Sequence, residues 1–210
     1  MLYIKNGNNG KMNWGCDQRI AKSSTTAEAL GVLDEINSFL GLCKVQSIHL
    51  DYKLGKRTLA EIVHEMQKNL FIIQSEVWGN NNRIDKTKVK ELEDIIDEIE
   101  KELSPVNSFF IAGGSAEMTK WQLGGAGLST LFDIARTIAR RAERRIITLS
   151  EEVLQPELPI SQNDNKPENH KKHISKQTKA YINRLSSALY ALARYANHKV
   201  GIAEESPDYL

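Results

Sequence analysis

A run of arginines at helical spacing is the part of the sequence best suited to chemistry. Residues 135–145 read Ala-Arg-Thr-Ile-Ala-Arg-Arg-Ala-Glu-Arg-Arg. In a helix, four of these charged side chains share one face: Arg136, Arg140, Glu143 and Arg144. Guanidinium groups crowded on one face repel each other unless an anion lies opposite, and their forked donors match phosphate oxygens. The run therefore indicates either a phosphate-binding face or a solvated basic face.

The glycine-rich opening of the chain is a second candidate for anion binding. Residues 5–11 read Lys-Asn-Gly-Asn-Asn-Gly-Lys and so combine two glycines with two lysines. Backbone N–H groups next to glycine can converge on an anion, and lysine adds positive charge. The spacing of a Walker nucleotide loop is absent, and Asn-Gly also favours a β-hairpin turn. A phosphate cradle and a hairpin turn both fit this segment.

Composition excludes several classes of function. The chain has 210 residues, 26% of them charged and 40% hydrophobic, and a formal net charge of +1. This balance is typical of a globular protein and predicts no nucleic-acid partner, because a strongly basic field is missing. No apolar run approaches membrane-spanning length, so we expect no membrane partner. Cys16 and Cys43 suggest neither a metal-type pair nor a disulfide framework, which favours a cytoplasmic protein.

Helices are expected to position the charged residues. Apolar side chains recur at intervals of three and four in five segments, at residues 29–43, 59–77, 89–103, 128–149 and 182–196. Strand-type alternation is almost absent, so the pattern predicts an all-α five-helix bundle, with one domain over residues 1–210. A polar loop is expected at residues 156–174, and an irregular connection or insertion at residues 116–127.

Several motifs, taken together and in order, resemble those of the PduO-type cobalamin adenosyltransferases, also called ATP:cob(I)alamin (corrinoid) adenosyltransferases. The most specific are the arginine run at residues 135–144 and Asn-Arg-Leu-Ser at residues 183–186. The others are Tyr-Ile-Lys-Asn-Gly-Asn-Asn-Gly at 3–10, Ala-Leu-Gly-Val-Leu-Asp-Glu-Ile-Asn at 29–37, Phe-Phe-Ile-Ala-Gly-Gly at 109–114 and Leu-Ala-Arg-Tyr-Ala-Asn at 192–197.

The resemblance implies a fold and a reaction. The fold would be a five-helix bundle with ferritin-like up-down packing and a short, irregular, glycine-rich N-terminal segment. Such proteins assemble as homotrimers with active sites between adjacent subunits. ATP, with Mg²⁺, would lie under a loop formed by residues 1–24, with cobalamin beside it. The reduced cobalt would attack the 5′ carbon of ATP and release triphosphate, so the protein itself needs no nucleophile. A reductase is a further expected partner.

The resemblance also implies a role for individual residues. Those that would contact ATP are Ile4, Lys5, Asn6, Gly7, Met12, Lys22, Arg140, Arg141, Ala142, Glu143, Arg144 and Asn183. Asn183 would in addition lie near the metal ion that the ATP phosphates hold. Three residues would act at the corrin. Asp34 would pair with Arg136 across the subunit interface, and Phe109 would press on the lower face of the corrin.

The N-terminal loop departs from the pattern of that family, which reads Thr-Lys-x-Gly-Asp-x-Gly-x-Thr/Ser. Ile4, Asn8 and Met12 replace the threonine, the aspartate and the final hydroxyl residue. Neither Ile4 nor Met12 can form the hydroxyl hydrogen bonds. Two functions therefore stay open. One is adenosyl transfer, and the other is a catalytically degenerate trimeric bundle that binds corrinoid or nucleotide or acts as a scaffold.

Restoring the loop tests the effect of this departure. In the double variant Asn8→Asp/Met12→Thr we expect a large gain in turnover, because the loop regains its carboxylate and its hydroxyl group. The measurement is an anaerobic assay with ATP, Mg²⁺ and chemically reduced cobalamin, followed by corrin absorbance. The control is Asn8→Asp/Met12→Leu, which restores no hydroxyl. An unchanged rate in the restored variant would show that the loop does not limit turnover.

Overall fold

Residues 7–15, 18–106, 108, 110–114, 123–154 and 174–208 are described by a computed structural model. In this part of the chain there are five α-helices and four short β-strands. The helices are α1 (Thr25–Leu50), α2 (Leu59–Val77), α3 (Lys86–Glu100), α4 (Leu123–Leu154) and α5 (Lys176–Lys199). The strands are β1 (Lys11–Trp14), β2 (Gln18–Ala21), β3 (Lys53–Leu54) and β4 (Arg57–Thr58). The predicted all-α five-helix fold is confirmed.

Polar caps set where four of the helices begin. The capping residues are Ser24 for α1, Thr58 for α2, Asp85 for α3 and Ser175 for α5. At α2 the cap is reciprocal. The hydroxyl of Thr58 accepts from the backbone N–H of Glu61 at 3.2 Å, and the Glu61 carboxylate accepts from the backbone N–H of Thr58 at 2.8 Å. That second bond lowers the pKa of the Glu61 carboxyl.

Helix α4 packs against α5 on one side and α1 on the other, while α2 packs against α1 and α3 against α5. Buried apolar side chains from all five helices form one continuous core. The predicted apolar stripe of α4 is part of it, since Ala135 and Ala142 are fully buried and Ile138 is 8% exposed. Burial of this stripe places the charged residues of α4 on its remaining face.

Two antiparallel hairpins stand apart from the helices. Strand β1 pairs with β2, with Lys11 opposite Ala21 and Trp14 opposite Gln18, and β3 pairs with β4 between α1 and α2. The indole N–H of Trp14 donates to the carbonyl of Val77 at 2.9 Å, which ties the first hairpin to the end of α2. Residues 7–10 of the glycine-rich opening are turn and bend residues that precede β1. The hairpin therefore lies further along the chain, within residues 11–21, than the Asn-Gly turn that the sequence suggested.

Two boundaries also differ from the prediction. Helix α4 begins at Leu123, so the end of the expected insertion at residues 116–127 is helical, while residues 115–122 lie outside the described part. The expected polar loop at residues 156–174 lies outside it too, except for Ile174. That apolar side chain is 2% exposed and joins the core, next to the cap of α5.

None of the described helices is both long enough and apolar enough to cross a bilayer.

Cys43 is a free thiol buried in α1, and this burial raises its pKa to about 12. The thiol therefore stays protonated at neutral pH and behaves as a small core side chain. The other cysteine, Cys16, lies outside the described residues.

The cap of α2 can be tested by substitution. Thr58→Ala removes the hydroxyl acceptor, so we expect the free energy of unfolding to fall by about 1 kcal/mol. Urea unfolding followed by circular dichroism measures the change. Thr58→Ser keeps the acceptor and serves as the control, which should lose much less. Equal losses in the two variants would mean that the methyl group, and not the cap, stabilises this end of the helix.

Candidate functional site

Two arginines of the α4 run are occupied by bonds within the chain. Arg141 donates to Glu35, and Arg145 Nε lies 3.2 Å from Glu28 Oε1. Both carboxylates belong to α1, so these pairs join α4 to α1. The side chains are roughly half exposed, and ion pairs in such positions contribute little stability. Their effect is to hold the two helices in register. Whether Arg141 also contacts ATP stays a prediction.

Two other arginines of the run, Arg140 and Arg144, are exposed and have no partner among the described residues. They are one helical turn apart, so their charges repel each other. Beside them Asn183 of α5 donates through Nδ2 to Glu143 Oε1 at 2.8 Å. Four of the predicted site residues therefore come together where α4 and α5 meet. This surface combines unpaired guanidinium donors with carboxylate and amide oxygens.

A cavity of about 570 Å³ adjoins this surface, between α3, α4, α5 and the segment from Leu103 to Phe110. We call it the larger cavity. Its apolar lining includes Ile96, Ile99, Leu103, Val106, Phe110 and Ala191. Its charged and polar lining includes Glu100, Arg136, Arg140, Ser187, Tyr190 and Arg194. A mainly apolar cavity of this size with a few converging polar groups is typical of a small-molecule site.

Arg136 is held at the larger cavity by its own helix. Its Nε donates to Asp133 Oδ1 at 3.0 Å, and its guanidinium carbon lies 5.9 Å from the centroid of the Tyr190 ring. The bond to Asp133 uses only one of the three guanidinium nitrogens. The two terminal nitrogens make no hydrogen bond to any described residue, so a second anionic partner can still bind there.

A second, smaller cavity of about 400 Å³ lies between the β1–β2 hairpin, α1 and α2. Met12, Leu30, Asp34, Phe71 and Trp78 are among the residues that line it. Asp34 is exposed and has no ion-pair partner in the part of the chain that is described. It lies in a different cavity from Arg136, so a single chain does not bring the predicted pair together.

The described end of the N-terminal loop does bring two predicted residues together. A Cβ atom built on Gly7 would lie 3.1 Å from Lys22 Nζ, so the ammonium group rests against the bare glycine backbone. The backbone N–H of Lys22 donates to the carbonyl of Gly10 at 2.9 Å. The ammonium group and the glycine backbone are therefore neighbours, as an anion-binding loop requires.

Some predicted residues are not placed at this surface. Ile4, Lys5, Asn6 and Phe109 lie outside the described residues, so their roles stay predictions. Ala142 is fully buried in the core, so its side chain does not lie on this surface, and its contact with ATP stays a prediction.

Two polar residues of α5 are buried, since Arg194 and Asn197 are each only 7% exposed. Arg194 lines the larger cavity and pairs with Glu204. The helical position of Arg194 was visible in the sequence, but no local pattern linked it to a carboxylate ten residues further on. Sequence reasoning therefore missed this residue and its partner.

Comparison with known proteins agrees with the geometry. A family model described as cobalamin adenosyltransferase matches residues 2–196. The chain is 28% identical over 214 residues to the corrinoid adenosyltransferase PduO of Salmonella typhimurium, which covers 97% of this chain and 53% of that protein. It is 30% identical over 209 residues to a corrinoid adenosyltransferase of Bacillus subtilis, which covers 97% of this chain and 90% of that protein. The chain spans about half the length of the PduO proteins that it matches.

Solved structures share the fold. A variant PduO-type ATP:corrinoid adenosyltransferase from Lactobacillus reuteri, complexed with cobalamin and ATP, superposes with a TM-score of 0.76 at 24% identity. The match covers 100% of this chain and 97% of that chain. A second variant from the same organism, complexed with ATP, has a TM-score of 0.73.

Unpaired arginines should cost stability when no ligand is bound. In the double variant Arg140→Gln/Arg144→Gln we expect a gain of about 0.2–0.5 kcal/mol at low salt, because repulsion along the helix is removed. The gain should shrink at high salt, where the charges are screened. Arg145→Gln is the control, since it loses the pair with Glu28. Urea unfolding at two ionic strengths measures both. A loss of stability in the double variant would show that these arginines have structural partners.

Proposed function

The chain belongs to the cobalamin adenosyltransferase family, and on that premise we propose that it transfers the 5′-deoxyadenosyl group of ATP to the cobalt of a reduced corrinoid. The products would be adenosylcobalamin and triphosphate. The observation that carries the proposal is the surface where Arg140 and Arg144, exposed and without a partner in the described part of the chain, meet the Asn183–Glu143 pair, beside a cavity of about 570 Å³.

The unpaired arginines suit the leaving group. When the cobalt displaces the 5′ carbon, negative charge builds up on the triphosphate, and positioned guanidinium donors stabilise that charge. Arg140 lines the larger cavity, so it is placed between the nucleotide surface and the space for the corrinoid. Lys22 and Gly7, which lie against each other, would close over the phosphates from the N-terminal loop.

Magnesium would be held mainly by the phosphates of ATP, as is usual for this ion. Glu143 and Asn183 fit such an ion, because Nδ2 of Asn183 donates to Glu143 Oε1 at 2.8 Å and so fixes a carboxylate at the surface where the phosphates would lie. Asn183 keeps its side-chain oxygen oriented by a bond from Arg184 at 2.8 Å. The ion would supply further neutralisation of the leaving triphosphate.

The larger cavity would take the corrinoid. Its apolar walls suit the faces of the macrocycle, and Arg136 and Tyr190 supply polar groups for its amide-bearing edge. Phe109 belongs by sequence to the segment that lines this cavity. We infer that it presses on the lower face of the corrin, where an aromatic ring excludes water and an axial ligand from the cobalt.

A homotrimer with sites between subunits explains the division of the predicted residues. Among the described residues Asp34 has no ion-pair partner, and it lies in a different cavity from Arg136, which keeps two terminal nitrogens for a second anion. A cyclic assembly would bring Asp34 of one copy to Arg136 of the next. Exposed apolar residues on α1 and α2, including Val45, Ile48 and Phe71, supply a surface for such contacts.

The same proposal extends to the surroundings of the enzyme. The cobalt must be reduced before it can act as nucleophile, so a reductase partner is required. Free thiols such as Cys43 suit the reducing cytoplasm.

A catalytically degenerate bundle that binds corrinoid or nucleotide, or acts as a scaffold, is the second candidate. It is favoured by one observation: Met12, without a hydroxyl group, lines the smaller cavity.

Substitution of one unpaired arginine tests the nucleotide site. Arg140→Ala should lower ATP affinity to below detection in calorimetry, because a charged donor to phosphate is lost. The assembly, measured by light scattering, should be unchanged. The control is Arg145→Ala on the same helix, which should bind ATP normally since that arginine faces Glu28. If Arg140→Ala instead breaks the assembly and keeps its ATP affinity, the residue belongs to an interface.

The anaerobic assay with ATP, Mg²⁺ and reduced cobalamin decides between the two candidates. Formation of adenosylcobalamin establishes the enzyme. Absence of turnover, together with absence of ATP binding, would overturn the enzyme and favour the scaffold.

A further inference from the structure

The C-terminal segment, residues 200–208, turns back after α5 and lies on the loop at residues 104–114. Gly201 has a φ of 69°, in the left-handed region that glycine adopts without strain. The backbone N–H of Ile202 then donates to the carbonyl of Asn197 at 3.0 Å, and its side chain is 5% exposed. The segment is therefore docked in a defined position.

Three contacts join this segment to the loop. The backbone N–H of Ile111 donates to the carbonyl of Glu205 at 2.8 Å, and the hydroxyls of Ser108 and Ser206 are 2.6 Å apart. The third is a close approach, since a Cβ atom built on Gly114 would lie 2.2 Å from Cγ2 of Ile202. The C-terminal segment thus contacts the loop at three positions along its length.

Arg194 lies at the centre of this arrangement. Its Nε and Nη2 donate to the two carboxylate oxygens of Glu204 at 2.6 and 2.7 Å, and Nη2 also donates to the carbonyl of Ser104 at 3.0 Å. Its guanidinium carbon lies 5.3 Å from the centroid of the Phe110 ring. One side chain therefore contacts the C-terminal segment, the start of the loop and its aromatic residue.

Only arginine has the chemistry for all of these contacts at once. Its planar fork forms the paired bonds to a carboxylate and stacks on an aromatic face, whereas lysine is a single point charge. The residue is 7% exposed, so removal of the Glu204 charge would leave a buried guanidinium without its anionic partner. The same guanidinium lines the larger cavity.

We propose that Arg194 is a positioning residue that clasps the C-terminal segment to the loop at residues 104–114 and so shapes the corrinoid end of the larger cavity. The inference rests on the proposed function for its corrinoid. Ser108 and Phe110, the sequence neighbours of Phe109, are both held by the clasp. The clasp would thereby determine where Ser108 and Phe110 lie along the wall of the larger cavity.

The test compares two neighbouring carboxylates. Glu204→Gln removes the negative charge to which Arg194 donates two hydrogen bonds. Glu205→Gln makes the same change one residue later, where the contact to the loop uses the backbone carbonyl and not the side chain. Arg194→Lys adds a variant that keeps the charge but lacks the fork. Thermal unfolding identifies any variant that loses global stability.

Two measurements are made on each variant. Hydrogen exchange at the amide of Ile111 should become about tenfold faster in Glu204→Gln and Arg194→Lys, with the amides of α4 unchanged. In the adenosyl transfer assay, the KM for the corrinoid should rise about tenfold while the KM for ATP stays the same. Glu205→Gln should match the natural protein in both measurements.

The outcomes separate the two proposals. Unchanged exchange at Ile111 in Glu204→Gln overturns the clasp, whether or not the protein is an enzyme. Faster exchange with an unchanged corrinoid KM overturns the positioning role. If the natural protein has no turnover, the proposed function fails, and the affinity for cob(II)alamin measured by absorbance takes the place of KM. Equal affinities in the natural protein and Glu204→Gln would then overturn the positioning role.

Discussion

The close packing of α4 between α1 and α5 is the constraint on which the rest of the structure depends. Three alanines on α4, Ala135, Ala139 and Ala142, are completely buried, and their small side chains allow the neighbouring helices to approach. Larger residues in these positions would overfill the core. Because this stripe faces the core, the 3.6-residue period of the helix places the arginines on the remaining face of α4.

The arginines of α4 then divide according to what lies opposite them. Those toward α1 meet Glu28 and Glu35 and join the two helices. Those toward α5 and the larger cavity find fewer anions, and Arg140 and Arg144 find none among the described residues. One helix therefore supplies both a structural contact and a charged surface, and the difference between them is set by the partner and not by the residue type.

The sequence allowed the fold and the charged face of α4 to be predicted, because both follow from periodicity. The five apolar repeats correspond to α1–α5, and the face that carries Arg140 and Glu143 lies outside the core, where Glu143 accepts from Asn183 of α5. Features that depend on contacts distant in sequence were missed. Arg194 pairs with Glu204 in a segment without helical period, and Ile174 is buried at the end of a stretch whose composition is polar. Local patterns carry no information about such partners.

The bond between Trp14 and Val77 has an optical consequence. The indole N–H is hydrogen-bonded to the carbonyl at the end of α2, and the ring lies against Gly79. The surroundings of this indole change whenever the β1–β2 hairpin leaves α2, and the emission of tryptophan depends on those surroundings. The hairpin leads directly into Lys22 and the start of α1. Once the other two tryptophans, Trp78 and Trp121, are replaced by phenylalanine, Trp14 thus serves as a fluorophore for the position of the β1–β2 hairpin without any added label.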